Sequence, residues 1–147
     1  MNTLEAITTR YACRNFTDEQ ITDEELEKII KAANAAPAAS GDHSGLKITI
    51  VQNKELCSEI DAEAAQNFPF PIPHPTYGAP TLVVISSTAN EHSELVPIAN
   101  ASCIAQNMMI EANDLGINSL YMMGVPLFIQ ENMELLEKLN FQMDTHH

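Results

Sequence analysis

Arg10 and Arg14 are the residues whose type and spacing most directly suggest chemistry. They are the chain's only arginines, four residues apart in Arg-Tyr-Ala-Cys-Arg-Asn-Phe, in a chain of formal net charge -13. Concentrating planar, permanently charged side chains in one turn of an acidic protein has two explanations. The pair meets an anion, for which phosphate suits a bidentate guanidinium best. Alternatively it pairs with some of the twenty surface carboxylates.

The rest of the side-chain inventory offers no acid, base or nucleophile in a recognisable setting. Neither G-x-S-x-G nor H-E-x-x-H occurs, and His43, His74 and His92 lack a histidine partner one helical turn away, so no metal site is expected. Cys13, Cys57 and Cys103 are widely spaced without C-x-x-C, the pattern of free thiols in a reducing compartment. Glu24, Glu25, Glu27, Glu131, Glu134 and Glu137 read as solvated helix faces. The dinucleotide fingerprint G-x-G-x-x-G and the Walker A sequence are also absent. Either the chain is not an enzyme, or the chemistry belongs to a cofactor that the protein positions, and a phosphate on that cofactor would occupy Arg10 and Arg14.

Composition narrows the setting. A chain of 147 residues with 45% hydrophobic and 18% charged content is expected to form a single domain, 1–147. The acidic balance argues against nucleic acid and anionic membrane surfaces. No apolar run approaches the roughly 20 residues needed to cross a bilayer, and the first residues lack a basic, apolar leader, so a cytoplasmic location is the expectation. His146 and His147 are assigned no function.

Several elements must position the arginines. Asn2 and Glu5 cap a first helix carrying Leu4, Ile7 and Tyr11 on one face and ending near Arg10. Thr22-Asp23-Glu24-Glu25 is a capping box for a second, with Leu26, Ile29, Ile30 and Ala33 as its apolar stripe and Pro37 beyond its end. A small-residue loop over 36–45 follows, then a half-buried strand over 46–52. Asn53 caps a third helix, and the alternating prolines of 68–75 force an extended loop. Residues 81–86 read as a central strand covered on both faces. The longest helix is expected from about Pro97 to Leu115 with Gly116 at its C-terminal cap, its alanines letting another helix approach. A strand over 117–123 and one amphipathic helix over about 129–139 complete an α/β or α+β arrangement around a small sheet.

Four stretches in register resemble the nitroreductase family of FMN-dependent oxidoreductases. Leu4 to Phe16 is similar to its opening L-x-x-I-x-x-R-R-S-x-R-x-F, and Ala33 to Ala39 to its A-x-x-A-P-S-A loop. Tyr77-Gly78-Ala79-Pro80 resembles its G-A-P segment, and Ile98 to Ile117 its A-x-x-x-Q-N-x-x-L-x-A-x-x-L-G helix. The resemblance implies an α+β fold, a mixed sheet flanked by helices with a long central interface helix, and a homodimer binding FMN at the subunit interface. It implies that Arg10 and Arg14 hold the phosphate and ribityl chain, with Tyr11 and Ala12 beside them. Pro37, Ala38 and Ala39 would pack on the flavin ring from the second subunit, with Met123 and Gly124 near its N5. Hydride would pass from NAD(P)H through N5 to a nitroaromatic, quinone or similar acceptor.

The departures set up a second reading. Ala12 stands where the family often has Ser, and Gly41, His43 and Ser44 where its loop has Asn and then Gln-Pro. The family's further strand and late basic residue are replaced by residues 141–147, so the domain is expected to lack the usual C-terminal strand and tail. A non-catalytic flavin-binding or regulatory relative fits these departures, and a cofactor-free dimerising domain is a third reading.

Overall fold

The structure, a computed structural model, describes residues 1–90 and 93–141; His92 and residues 142–147, on which the expectation about the C-terminal tail falls, lie outside the described residues. Its backbone forms two compact units, each assembled from separated segments. The first comprises Met1–Cys13, Ile21–Lys47 and Ile85–Tyr121; the second comprises Arg14–Gln20, Ile48–Val84 and the chain from Met122 onward.

Three helices make the first unit. Helix α1 (Thr3–Thr9) starts where the Asn2 side chain accepts from the Glu5 amide, and α2 (Asp23–Asn34) starts at the complete Thr22–Glu25 capping box. Both caps satisfy first-turn amides that would otherwise lack acceptors. The 20-residue helix after 94, numbered α4 below, is the long helix expected from the alanine spacing, running over Leu95–Asp114. Gly116 follows it at φ 78°, a left-handed closure suited to glycine. Ala6, Leu26, Ile29, Ala33, Ile104, Met108, Met109 and Ala112 are buried in this unit. Asn113 Nδ2 donates to Ala6 O at 2.9 Å and Asn107 Nδ2 to Ala32 O at 3.1 Å, tying the C-terminal half of α4 to both shorter helices.

Helix α3 (Lys54–Asn67), capped by Asn53, supplies the core of the second unit together with α5 (Gly124–Ile129) and α6 (Met133–Phe141). Val51, Leu56, Cys57, Ile60, Ala64, Val125, Ile129, Leu135 and Leu139 form one buried cluster there. Strands β1 (Leu46–Val51) and β2 (Leu82–Ser87) pair as a two-stranded sheet. Gly45 O accepts from Thr88 N, and Gln52 bonds Thr81 at the other end, so the strands run antiparallel. Helices around a small sheet make the α+β class expected above.

Four expectations are corrected. No strand forms over 117–123; among the described residues the segment's sheet pairing is one parallel bridge, Ala12 to Ser119. Strand-like residues become a strand only where a neighbouring backbone offers a ladder, which no local pattern reveals. Residues 124–139 form two helices. Pro126 is tolerated in the first turn of α5, and Asn132 starts α6 by accepting from the Leu135 amide at 3.0 Å. Strand β2 is not covered on both faces, since Val83 is exposed. The face expected on the first helix is also cut short and open: α1 ends at Thr9, which leaves Tyr11 beyond it and 56% exposed, and Leu4 is 69% exposed.

The proline loop is pinned by a carboxylate. Asp61, its side chain 13% exposed, accepts from Thr76 N at 2.8 Å and Thr76 Oγ1 at 2.6 Å, with His74 Nδ1 at 2.9 Å from its second oxygen. Burial pushes the Asp61 pKa up, but the Thr76 bonds and His74 outweigh it, so the group sits below its ordinary 3.8. A carboxyl depressed on folding stabilises the folded chain above the unfolded pKa and loses that contribution as pH falls through the folded one. Asp61→Asn is therefore expected to cost about 1–2 kcal/mol at pH 7 and progressively less as the pH falls below the ordinary 3.8, read as the difference between two urea melts at pH 7 and at pH 3. An equal cost at both would mean the ionised carboxylate is not what pins the loop.

Candidate functional site

Helix α1 ends because its backbone turns extended at Arg10, φ -60° and ψ 137°. This places a cation at the partially negative end of a helix. The Arg10 side chain is half-buried, and its Nε is fully buried without a hydrogen-bond partner. Among the described residues, neither Arg10 nor Arg14 joins any of the ion pairs, which involve the N-terminal amine, Lys28, His74 and Lys138. The carboxylate-pairing explanation of the two arginines therefore has no support in the described structure. Beyond Arg10, Tyr11 is exposed, Ala12 makes the bridge to Ser119, and the buried Cys13 donates its amide to Ser119 O at 3.0 Å.

Arg14, exposed, belongs to the second unit, as do Met123 and Gly124. Arg10, Tyr11, Ala12, Pro37, Ala38 and Ala39 belong to the first. Pro37 and Ala39 are exposed and Ala38 is half-buried. Their loop is held by a residue that the sequence reading did not single out: Asn100 of α4 accepts from the Ala39 amide at 3.0 Å. The loop then tightens through Ser40 and Gly41, both at positive φ. Its remaining polar groups are spent locally. His43 Nε2 lies 3.0 Å from Ala36 O, and Asp42 accepts from the Ser44 hydroxyl and amide, which hold its carboxyl below the ordinary range. An open cavity of about 520 Å3 lies beside this loop, lined also by 87–90 and the first turn of α4, and of the expected residues only Ala39 reaches it. Arg10 is a better guide to chemistry than this cavity, which is lined by neither of the two buried side-chain atoms that lack a partner among the described residues.

Met123 precedes α5 without a side-chain cap, so the first amides of that helix have no side-chain acceptor. Gly124 is required there by contact. A Cβ at this position would stand 2.8 Å from Phe68 Cζ, and Phe68 is itself packed against Phe128 with ring centroids 4.4 Å apart. Gly124→Ala is expected to destabilise the chain by about 1–3 kcal/mol through overpacking, seen as a lowered thermal midpoint. An unchanged midpoint would mean that the Phe68 ring moves aside freely. Among the described residues no group of three or more His, Cys, Asp or Glu could hold a metal, and no helix is long and apolar enough to cross a membrane.

Helices and a small two-stranded sheet, with a half-buried arginine whose buried Nε has no partner among the described residues, are the features that the comparisons with known proteins meet. Residues 7–142 match the model of the nitroreductase family, and the chain belongs to that family. It is 29% identical to a protein of Archaeoglobus fulgidus named "Putative NADH dehydrogenase/NAD(P)H nitroreductase", over 92% of this chain and 74% of that one. It is 27% identical to "FMN reductase (NADPH)" of Bacillus subtilis, over 92% of this chain and 59% of that protein. A nitroreductase with bound FMN from Desulfitobacterium hafniense has the same fold. Its TM-score is 0.83 at 24% identity, covering all of this chain and 83% of that one.

Proposed function

We propose that this chain binds FMN and acts as an NAD(P)H-dependent oxidoreductase on a small acceptor. The observation that carries the reading is Arg10, a buried guanidinium nitrogen with no partner and no described carboxylate in ion-pair reach. Leaving such a donor unpaired is costly, so the position is ready for a charged acceptor from outside the chain. A flavin phosphate fits it, and the family relatives named for FMN and NAD(P)H make that phosphate the first choice.

In this reading Arg10 and Arg14 hold the phosphate, with Tyr11 and Ala12 beside them. The backbone amides of Met123, just before α5, and Gly124, its first residue, would offer donors to the flavin ring. When bound, FMN supplies the redox chemistry, accepting a hydride equivalent from NAD(P)H and reducing a nitroaromatic, quinone or similar acceptor. The protein's own part is to bind, orient and exclude water, which needs no dedicated acid or base. A second copy of the chain has a place on the exposed Leu4 and Ile7 of α1, Tyr11 just beyond it, and Leu95 and Ile98 of α4. Pro37, Ala38 and Ala39 would reach the flavin from that copy.

One observation favours the non-catalytic alternative: the Ser44 amide and hydroxyl are spent on Asp42 and His43 Nε2 sits on Ala36 O, leaving fewer donors for a ring that must change charge. Titration with FMN followed by visible absorption tests binding, and NAD(P)H oxidation with an added quinone then separates enzyme from binder. A chain that retains no flavin once excess FMN is removed sinks both readings. Bound FMN without NAD(P)H oxidation leaves only the binder.

A further inference from the structure

Two buried side-chain atoms lack a hydrogen-bond partner among the described residues, Arg10 Nε and Ser119 Oγ. Buried polar atoms are paired in the great majority of cases, so two orphans at neighbouring backbone positions call for a common explanation. They are neighbours through the parallel bridge that joins Ala12 to Ser119, reinforced by the 3.0 Å bond from Cys13 N to Ser119 O. Bridged residues project their side chains to the same face, and residues two apart on extended backbone also share a face. Arg10 is extended and two residues before Ala12, so both orphans stand on the Ala12 side of the bridge. With a rise of about 3.3 Å per residue and strands about 4.8 Å apart, their Cα atoms are roughly 8 Å from each other. Side chains that project from one face at that Cα spacing can converge on a single tetrahedral oxyanion.

The chemistry of the two atoms selects the missing partner. Arginine Nε only donates, whereas a serine hydroxyl can do either. The two are not bonded to each other, so the group that satisfies both is an acceptor with several lone pairs, and the cation favours one that is negatively charged. We propose that Ser119 is a phosphate-binding residue of this chain, its hydroxyl donating to the same phosphate monoester as Arg10; this rests on the flavin reading above. Ser119 carries no motif and lies over 100 residues from Arg10, and only the bridge brings it there.

The test uses the full chain as wild type, Ser119→Ala and Ser119→Thr, titrated with FMN and with riboflavin by flavin fluorescence. Thermal unfolding of each flavin-free protein is measured alongside. Ser119→Ala is expected to weaken FMN about tenfold, as for a bond to a charged group. Riboflavin, which lacks the phosphate, should bind the alanine variant as it binds wild type. The flavin-free alanine variant should melt at or above the wild-type temperature, because it loses only an unsatisfied hydroxyl. Ser119→Thr, which keeps the hydroxyl, should bind FMN within about twofold of wild type by the same reasoning. The proposal is overturned if Ser119→Ala binds FMN like wild type, if both flavins weaken equally, or if the flavin-free variant melts several degrees lower. The last result would show an ordinary structural hydroxyl. Wild type that binds neither flavin overturns the flavin reading itself, and this proposal with it.

Discussion

Replacing Arg10 by alanine is expected to weaken FMN binding by roughly tenfold to a hundredfold, the loss of a charge-assisted contact, without destabilising the flavin-free chain. These two halves come from the same atom. In the flavin-free protein Arg10 Nε is buried and unpartnered, and neither arginine of the 10–14 turn pairs with a described carboxylate. Removing a group that makes no bond leaves nothing unsatisfied behind, so a melt of the apo variant should match or exceed wild type. Arg10→Lys should recover part of the affinity, because an ammonium keeps the charge but not the planar fork. Equilibrium titration with FMN, paired with thermal melts, checks both halves. Unchanged affinity would remove Arg10 from the site, whereas a large loss of apo stability would assign it a structural role.

The largest stability effect is expected at Leu135. This residue of α6 is 0% exposed within the cluster of Val51, Ile60, Ala64, Val125, Ile129 and Leu139. Leu135→Ala removes three carbons from a packed interior and leaves a cavity, at a cost of about 3 kcal/mol. For a chain of this size that lowers the thermal midpoint by roughly 6–12 °C. Leu127→Ala provides the comparison, since Leu127 is mostly exposed and should change stability by less than about 0.5 kcal/mol. Similar losses at both positions would mean that α6 does not carry the core of its unit.

What the sequence determined by itself is local. Asn2, Thr22 with Glu25, and Asn53 mark three helix starts because a cap bonds an amide only three residues away, and Gly116 marks an end for the same reason. Asn132 carries the same kind of signal for α6 and was legible; taking 129–139 as one helix passed over it. The clustering of the only two arginines pointed to an anion, and the four motifs pointed to the family to which the chain belongs.

Tertiary structure decided everything that depends on a distant neighbour. Whether 117–123 became a strand depended on a ladder that the described fold offers only at Ala12, and whether β2 was covered depended on what packed over Val83. The partnerless state of Arg10 Nε, and the bridge that brings Ser119 to Ala12, are likewise properties of the folded chain. A residue's type sets which bonds it can make. Which bonds it is left without depends on contacts across more than a hundred residues, and it is those missing bonds that mark the candidate site.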